Sequence, residues 1–142
     1  MIILDTDIIS LLDRRSGEAF EELARRLADL SDDERVCATI ISFEEQMRGW
    51  LGQIAAARKP QAQVIAYGRL QRLLREYQLR DVLPYDDAAP AVFARLQRQR
   101  IRIGTMDIRI AAIALSCNAL LISRNRGDFK RVPNLRVEDW TN

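Results

Sequence analysis

The sequence contains no histidine. That removes the usual general base and the commonest transition-metal ligand. A Ser-His-Asp triad, a His-paired cysteine and a His-bound zinc are therefore excluded within this chain. Cysteine is scarce as well. Cys37 and Cys117 lie far apart in apolar surroundings, where core filling in a reducing cytosol is the expected role and a disulfide is not. Gly (6) and Pro (4) are few, which leaves little chain for linkers. No basic segment precedes the N-terminal apolar run, so no signal peptide is expected. The longest apolar stretch, Ile108 to Ile122, is broken by Arg109, Ser116 and Asn118. No membrane span is expected from it, and the expected location is the cytoplasm.

What remains is an ordinary globular composition. The 142 residues are 48% hydrophobic and 30% charged, consistent with one domain over 1–142 built on one core. A net charge of +2 is too mild to prove a nucleic-acid partner. The kind of cation is more telling: of 22 basic residues only Lys59 and Lys130 are lysine. Arginine forks pair with phosphate and carboxylate better than lysine does, although a genome rich in G and C produces the same bias. Without histidine, hydrolytic chemistry must rest on carboxylates, and carboxylates favour hard ions such as Mg2+ or Mn2+.

Ile2-Ile3-Leu4 is an apolar run that ends in Asp5-Thr6-Asp7. It reads as a buried parallel strand with a carboxylate at its C-terminal end. A short helix is expected over Asp7–Leu12 with Asp7 as N-cap, and a second helix with Phe20, Leu23, Leu27 and Leu30 on one face. Arg35 to Ile41 reads as a strand. Ser42-Phe43-Glu44-Glu45 fits a capping box that opens the next helix. Pro60 opens another, running to about Leu79 with Val64, Leu70, Leu73, Leu74 and Tyr77 as its apolar positions. These two helices form a hairpin expected to project from the sheet. Asp81–Tyr85 reads as a short strand, Asp87–Gln99 and Met106–Ser116 as helices, with Asn118 closing the latter in a left-handed cap. Ala119–Ser123 is a buried strand, residues 124–128 a loop, and Leu135–Glu138 an edge strand. The alternation argues a three-layer α/β/α sandwich around a mainly parallel sheet.

Right-handed crossovers place the C-terminal ends of all parallel strands on one rim. Asp5 ends the first strand there. Glu44 and Glu45 open the helix after the second, Asp107 lies in the first turn of the Ile- and Ala-rich helix, and Asn125 and Asp128 follow the next strand. Each has a local explanation as a cap or turn residue. Together they suit a metal site, because adjacent carboxylates cannot all stay charged without a cation. Phosphodiester hydrolysis is the reaction such a site serves best.

These stretches resemble the PIN-domain family, and within it the VapC-type toxins of toxin–antitoxin pairs. Leu4-Asp5-Thr6-Asp7 with Ser10 is similar to the family's opening Leu-Asp-Thr-Asn, with Asp7 in place of Asn. Ser42-Phe43-Glu44-Glu45 with Gly49 resembles its second motif and selects Glu45 over Glu44. Asp107-Ile108-Arg109-Ile110-Ala111-Ala112 is similar to its third. Ser123-Arg124-Asn125-Arg126-Gly127-Asp128-Phe129, then Val132-Pro133-Asn134-Leu135, resembles its ending. The resemblance covers the whole chain. It implies an Mg2+- or Mn2+-dependent endoribonuclease leaving a 5′-phosphate and a 3′-hydroxyl, held in check by a cognate antitoxin and assembled as a homodimer. It assigns metal binding to Asp5, Glu45 and Asp107, and the fourth catalytic position to Asn125 or Asp128. Arg102, Arg109, Arg124 and Arg126 are the candidates to meet RNA phosphate. Two other readings stay open: a PIN-fold nuclease of RNA or DNA processing, and a non-catalytic α/β module whose acidic pocket holds a basic peptide.

Overall fold

The computed structural model describes residues 1–142. Its strands are β1 (Ile2–Leu4), β2 (Val36–Thr39), β3 (Asp81–Leu83), β4 (Leu120–Ile122) and β5 (Arg136–Glu138). They form one sheet in the order β3-β2-β1-β4-β5, and every pairing is parallel. The helices are α1 (Thr6–Arg14), α2 (Glu18–Ala28), α3 (Ile40–Ala56), α4 (Pro60–Leu79), α5 (Ala88–Arg98), α6 (Thr105–Ser116) and α7 (Arg126–Phe129).

Side-chain alternation along the strands divides the core in two. Ile3, Cys37 and Leu121 face one side, where α5 and α6 supply Ala89, Leu96, Ile110 and Ile113. Ile2, Leu4, Ala38 and Ile122 face the other, against Ile8 and Ile9 of α1, Leu23 of α2, and Leu73 and Tyr77 of α4. The three-layer α/β/α architecture is the one expected, with β1 at its centre. The chain leaves β1 toward β2 on one side and returns to β4 on the other. The crevice beyond the C-terminal ends of β1 and β4 is therefore the topological switch point of the sheet.

Several local expectations are corrected. Asp7 does not cap α1: the helix begins at Thr6, and Asp5 is its N-cap, accepting from the Thr6 amide. Ser42 does not open α3. Thr39 caps it through its hydroxyl, which accepts from the Ser42 amide at 3.1 Å, so Glu45 is no capping-box acid. Residues 126–129 are the helical turn α7 within the expected loop. Cys37 is buried but Cys117 is exposed, and both are free thiols. The hairpin does not stand free of the core: α4 packs by one face, with Ala66, Leu73 and Tyr77 buried, while Val64 at 73% and Leu74 at 52% are exposed. Asn118 does take the left-handed conformation (φ 51°) that ends α6, and no helix is long and apolar enough to cross a membrane.

Candidate active site

Asp5 is the anchor of the crevice. It follows β1 directly, and its amide donates to the Ile122 carbonyl of β4 at 3.0 Å. The register pairs Leu4 with Ile122, so the next residues along, Asp5 and Ser123, stand side by side. Ser123 is fully buried and donates its hydroxyl to Asp5 Oδ2 at 2.6 Å. The same Ser123 oxygen accepts from the Asn125 amide at 3.0 Å. One serine thus ties the Asp5 carboxyl to the loop that bears Asn125.

Glu45 enters from α3. Thr6, the first residue of α1, donates its hydroxyl to Glu45 Oε1 at 2.8 Å, linking the helices that follow β1 and β2. Asp107 enters from the first turn of α6. The Asn125 side-chain nitrogen approaches Asp107 Oδ2 at 3.5 Å and donates to Asp128 Oδ2 at 3.1 Å. Asp7 stands beside them. Its Oδ2 accepts from the backbone N–H and the guanidinium of Arg124, at 3.3 and 3.1 Å. Its Oδ1 is buried without a partner.

The electrostatics show how crowded this pole is. Burial pushes the Asp5 carboxyl up to about 7; the Ser123 and Thr6 hydrogen bonds oppose the rise, and the charges of Asp7 and Asp107 add to it. Asp107 is pushed up to about 6, first by burial, then by Glu45, Asp128 and Asp7. Asp5 and Asp107 each feel carboxylates brought in from distant parts of the sequence. The acids surround one pole without closing on a single point: no group of three forms a finished ligand cage. The donor chemistry still fits a hard dication. The donors are all oxygen, two carboxyls resist ionisation through burial and like charge, and one buried carboxylate oxygen has no partner.

Among the expected phosphate-binding arginines, Arg124 is at this pole, held by Asp7, and Arg126 is exposed at the start of α7. Arg109 instead lies over the Phe93 ring, 5.7 Å from its centroid. Arg102 is exposed, and its carbonyl accepts from the Arg131 guanidinium at 3.0 Å. Glu44 pairs with Arg48 on the same helix at 2.6 Å. Ser123 and Thr6 lie inside the motif stretches, but sequence reasoning gave neither a role. The pairing of β1 with β4 shows what Ser123 does, and the helix start at Thr6 shows how that residue reaches Glu45.

A parallel five-stranded sheet with an acidic pole at its switch point defines a doubly wound α/β domain with a polar site at the strands' C-terminal rim. No protein-family model matches the chain. It is 30% identical over 139 residues to Ribonuclease VapC1 of Haemophilus influenzae strain R2866, a match covering 98% of this chain and 97% of that protein. A tRNA(fMet)-specific endonuclease VapC of Shigella flexneri is 40% identical over 65 residues, 43% of this chain and 49% of that protein. The solved VapBC-1 structure from nontypeable H. influenzae superposes with a TM-score of 0.74 at 28% identity, covering all of both chains. VapBC2 of Rickettsia felis, bound to a promoter DNA fragment, shares the fold at a TM-score of 0.71, with 23% identity and 99% coverage of both chains. The chain belongs to the VapC family of PIN-domain ribonuclease toxins.

Proposed function

We propose that this chain is an Mg2+- or Mn2+-dependent endoribonuclease whose acidic pole hydrolyses RNA phosphodiesters, and that a cognate antitoxin restrains it. The supporting observation is Asp5, a buried carboxyl at the switch point, fixed by Ser123 and raised further by the charges of Asp7 on α1 and Asp107 on α6. Asp5, Glu45 and Asp107 are the residues to hold the metal. The ion, when bound, supplies Lewis-acid polarisation of the phosphoryl oxygen and an acidified water.

The chain's own groups do the rest. Ser123 holds the Asp5 carboxyl in one orientation through its hydroxyl. Thr6 does the same for Glu45. Asn125 and Asp128, hydrogen-bonded to each other, orient the attacking water. Attack at phosphorus with loss of the 3′-oxygen leaves a 5′-phosphate and a 3′-hydroxyl. Arg124, held at the pole by Asp7, and exposed Arg126 are the cations to meet the phosphodiester's charge.

The antitoxin assignment is supported by the solved neighbours, which are toxin–antitoxin complexes. Transfer RNA is the first substrate to try, because two relatives carry tRNA(fMet) specificity in their names. The test compares wild type with Asp5→Asn and Asp107→Asn in RNA cleavage with and without Mg2+, and in growth inhibition on expression. Wild type should cleave only with metal and arrest growth, and both variants should do neither. Variants as active as wild type would remove the acidic pole from the reaction.

A further inference from the structure

A polar cleft leads away from the acidic pole along the hairpin. Its near part, about 340 Å³, begins at Thr6 and Glu45. Its far part, about 490 Å³, reaches Arg14, Arg69 and Arg72. Ser10, Gln46, Trp50 and Gln53 line both parts, so the two are one channel. From Glu45 to Gln53 the α3 wall extends about 12 Å at the helical rise.

The charge along this channel is ordered. Arg72 is balanced by Glu76 at 2.8 Å, and Asp13 by Arg80 at 2.7 Å. Arg14 and Arg69 have no carboxylate partner. Arg14 is exposed at the last turn of α1 and donates only to the Ser10 carbonyl. Arg69 donates to the Gln53 side chain and lies over the Trp50 ring, 5.4 Å from its centroid. Two uncompensated guanidiniums and an indole therefore line the far part of the cleft. Gly49 forms part of the near wall. Glycine is an unfavourable choice inside a helix, yet a Cβ at Gly49 would meet nothing within 4 Å. Packing within this chain does not demand glycine there, and a longer side chain would extend into the open space of the cleft.

We infer that this channel is the track of single-stranded RNA leading to the acidic pole, with Arg14 and Arg69 on successive phosphates and the Trp50–Arg69 pair as a stacking platform for a base. Alternating cation and aromatic is how sequence-tolerant single-strand sites are built. The inference rests on the ribonuclease reading for what happens at the channel's end, and its test separates the two.

The full chain is titrated with a short fluorescein-labelled single-stranded RNA in EDTA, followed by anisotropy at several salt concentrations. The double variant Arg14→Gln/Arg69→Gln should bind about tenfold more weakly, with a salt slope shallower by about 1.4, or about 0.7 for each phosphate no longer neutralised. Gly49→Leu should fold as well as wild type and also bind about tenfold more weakly, because its side chain enters the channel. Arg25→Gln/Arg26→Gln on α2 should leave affinity unchanged. Unaltered binding by the Arg14/Arg69 variant or by Gly49→Leu overturns the track, as does an equal loss in the α2 control. So does a channel variant that keeps RNA affinity while losing the antitoxin, since the cleft is then a protein seat. Cleavage is scored separately with Mg2+. A wild type that binds through these residues but does not cut supports the track and counts against the ribonuclease reading alone. A wild type that cuts, with affinity and KM unchanged in the double variant, counts against the track alone.

Discussion

At the scale of single residues the site is held by carboxyls that would rather be neutral. Asp5 is pushed up to about 7 and Asp107 to about 6, in both cases chiefly by burial. A raised carboxyl pKa means the folded chain binds protons more tightly than the unfolded one. The resulting stabilisation is complete below the ordinary carboxylate pKa near 4 and is lost as pH rises toward 7. Metal-free protein in EDTA should therefore melt at progressively lower temperature from pH 4 to pH 7 by calorimetry. Asp5→Asn should flatten much of that slope, because the amide never ionises. Mg2+ should raise the melting temperature more at pH 8 than at pH 5, where protons compete for the same oxygens. A wild-type melting curve independent of pH across this range would contradict the buried, crowded state of these acids. The residues themselves are readable in the sequence. Asp5, Glu45 and Asp107 each sit in a recognisable motif, and the structure brings them to one pole. Ser123 also opens a motif, but its role is not readable, because that role comes from the neighbouring strand: nothing local to β4 announces that β1 will lie beside it.

At the scale of elements, the start of α3 separates structure from chemistry. The spacing of Ser42 and Glu45 suggests a reciprocal cap, a reading in which Glu45 is needed for the helix. The structure assigns the cap to Thr39, fully buried, with its hydroxyl on the Ser42 amide. Capping-box spacing recurs by chance wherever Ser or Thr precede Glu, and only the backbone dihedrals show which residue is outside the helix; Thr39 is extended at φ −117°, ψ 156°. Two variants distinguish the roles. Thr39→Ala should cost about 1 kcal/mol by urea denaturation, the usual loss for a helix cap, and Thr39→Ser should recover most of it. Glu45→Gln should change stability little, since the amide oxygen still accepts from Thr6, yet it should abolish metal-dependent cleavage. Substantial unfolding of Glu45→Gln would return Glu45 to a structural role. The same logic explains the corrected boundary at α1, where Asp5 both caps the helix and faces the crevice. An N-cap side chain lies at the N-terminal, positive end of its helix, so one aspartate serves both purposes.

At the scale of the whole molecule, the sheet carries the stability and the hairpin tip does not. The sandwich is legible because apolar strands alternate with amphipathic helices, a pattern few other architectures satisfy. The packing of the hairpin is less legible. Helical periodicity marks Val64, Leu73, Leu74 and Tyr77 alike as apolar positions, but only a folded α4 shows where the sheet ends beneath it. Leu73 and Tyr77 belong to the core, with Tyr77 donating to Gln46 at 2.6 Å, whereas Val64 is exposed to solvent. Leu121 is wholly buried on β4 between the paired strands β1 and β5. Leu121→Ala should therefore cost about 2–5 kcal/mol, the range for a leucine removed from a packed core. Val64→Ala should stay within about 0.5 kcal/mol, as for an exposed position. Hydrogen exchange provides the matching local measurement. Amides of β1 and β4 should exchange only through global unfolding, and those of the α3–α4 connection around Lys59 through cheaper local opening. If both substitutions lowered the urea midpoint equally, or if the hairpin tip were protected as strongly as β4, then the outer face of α4 would be covered and the hairpin would share in the stability of the core.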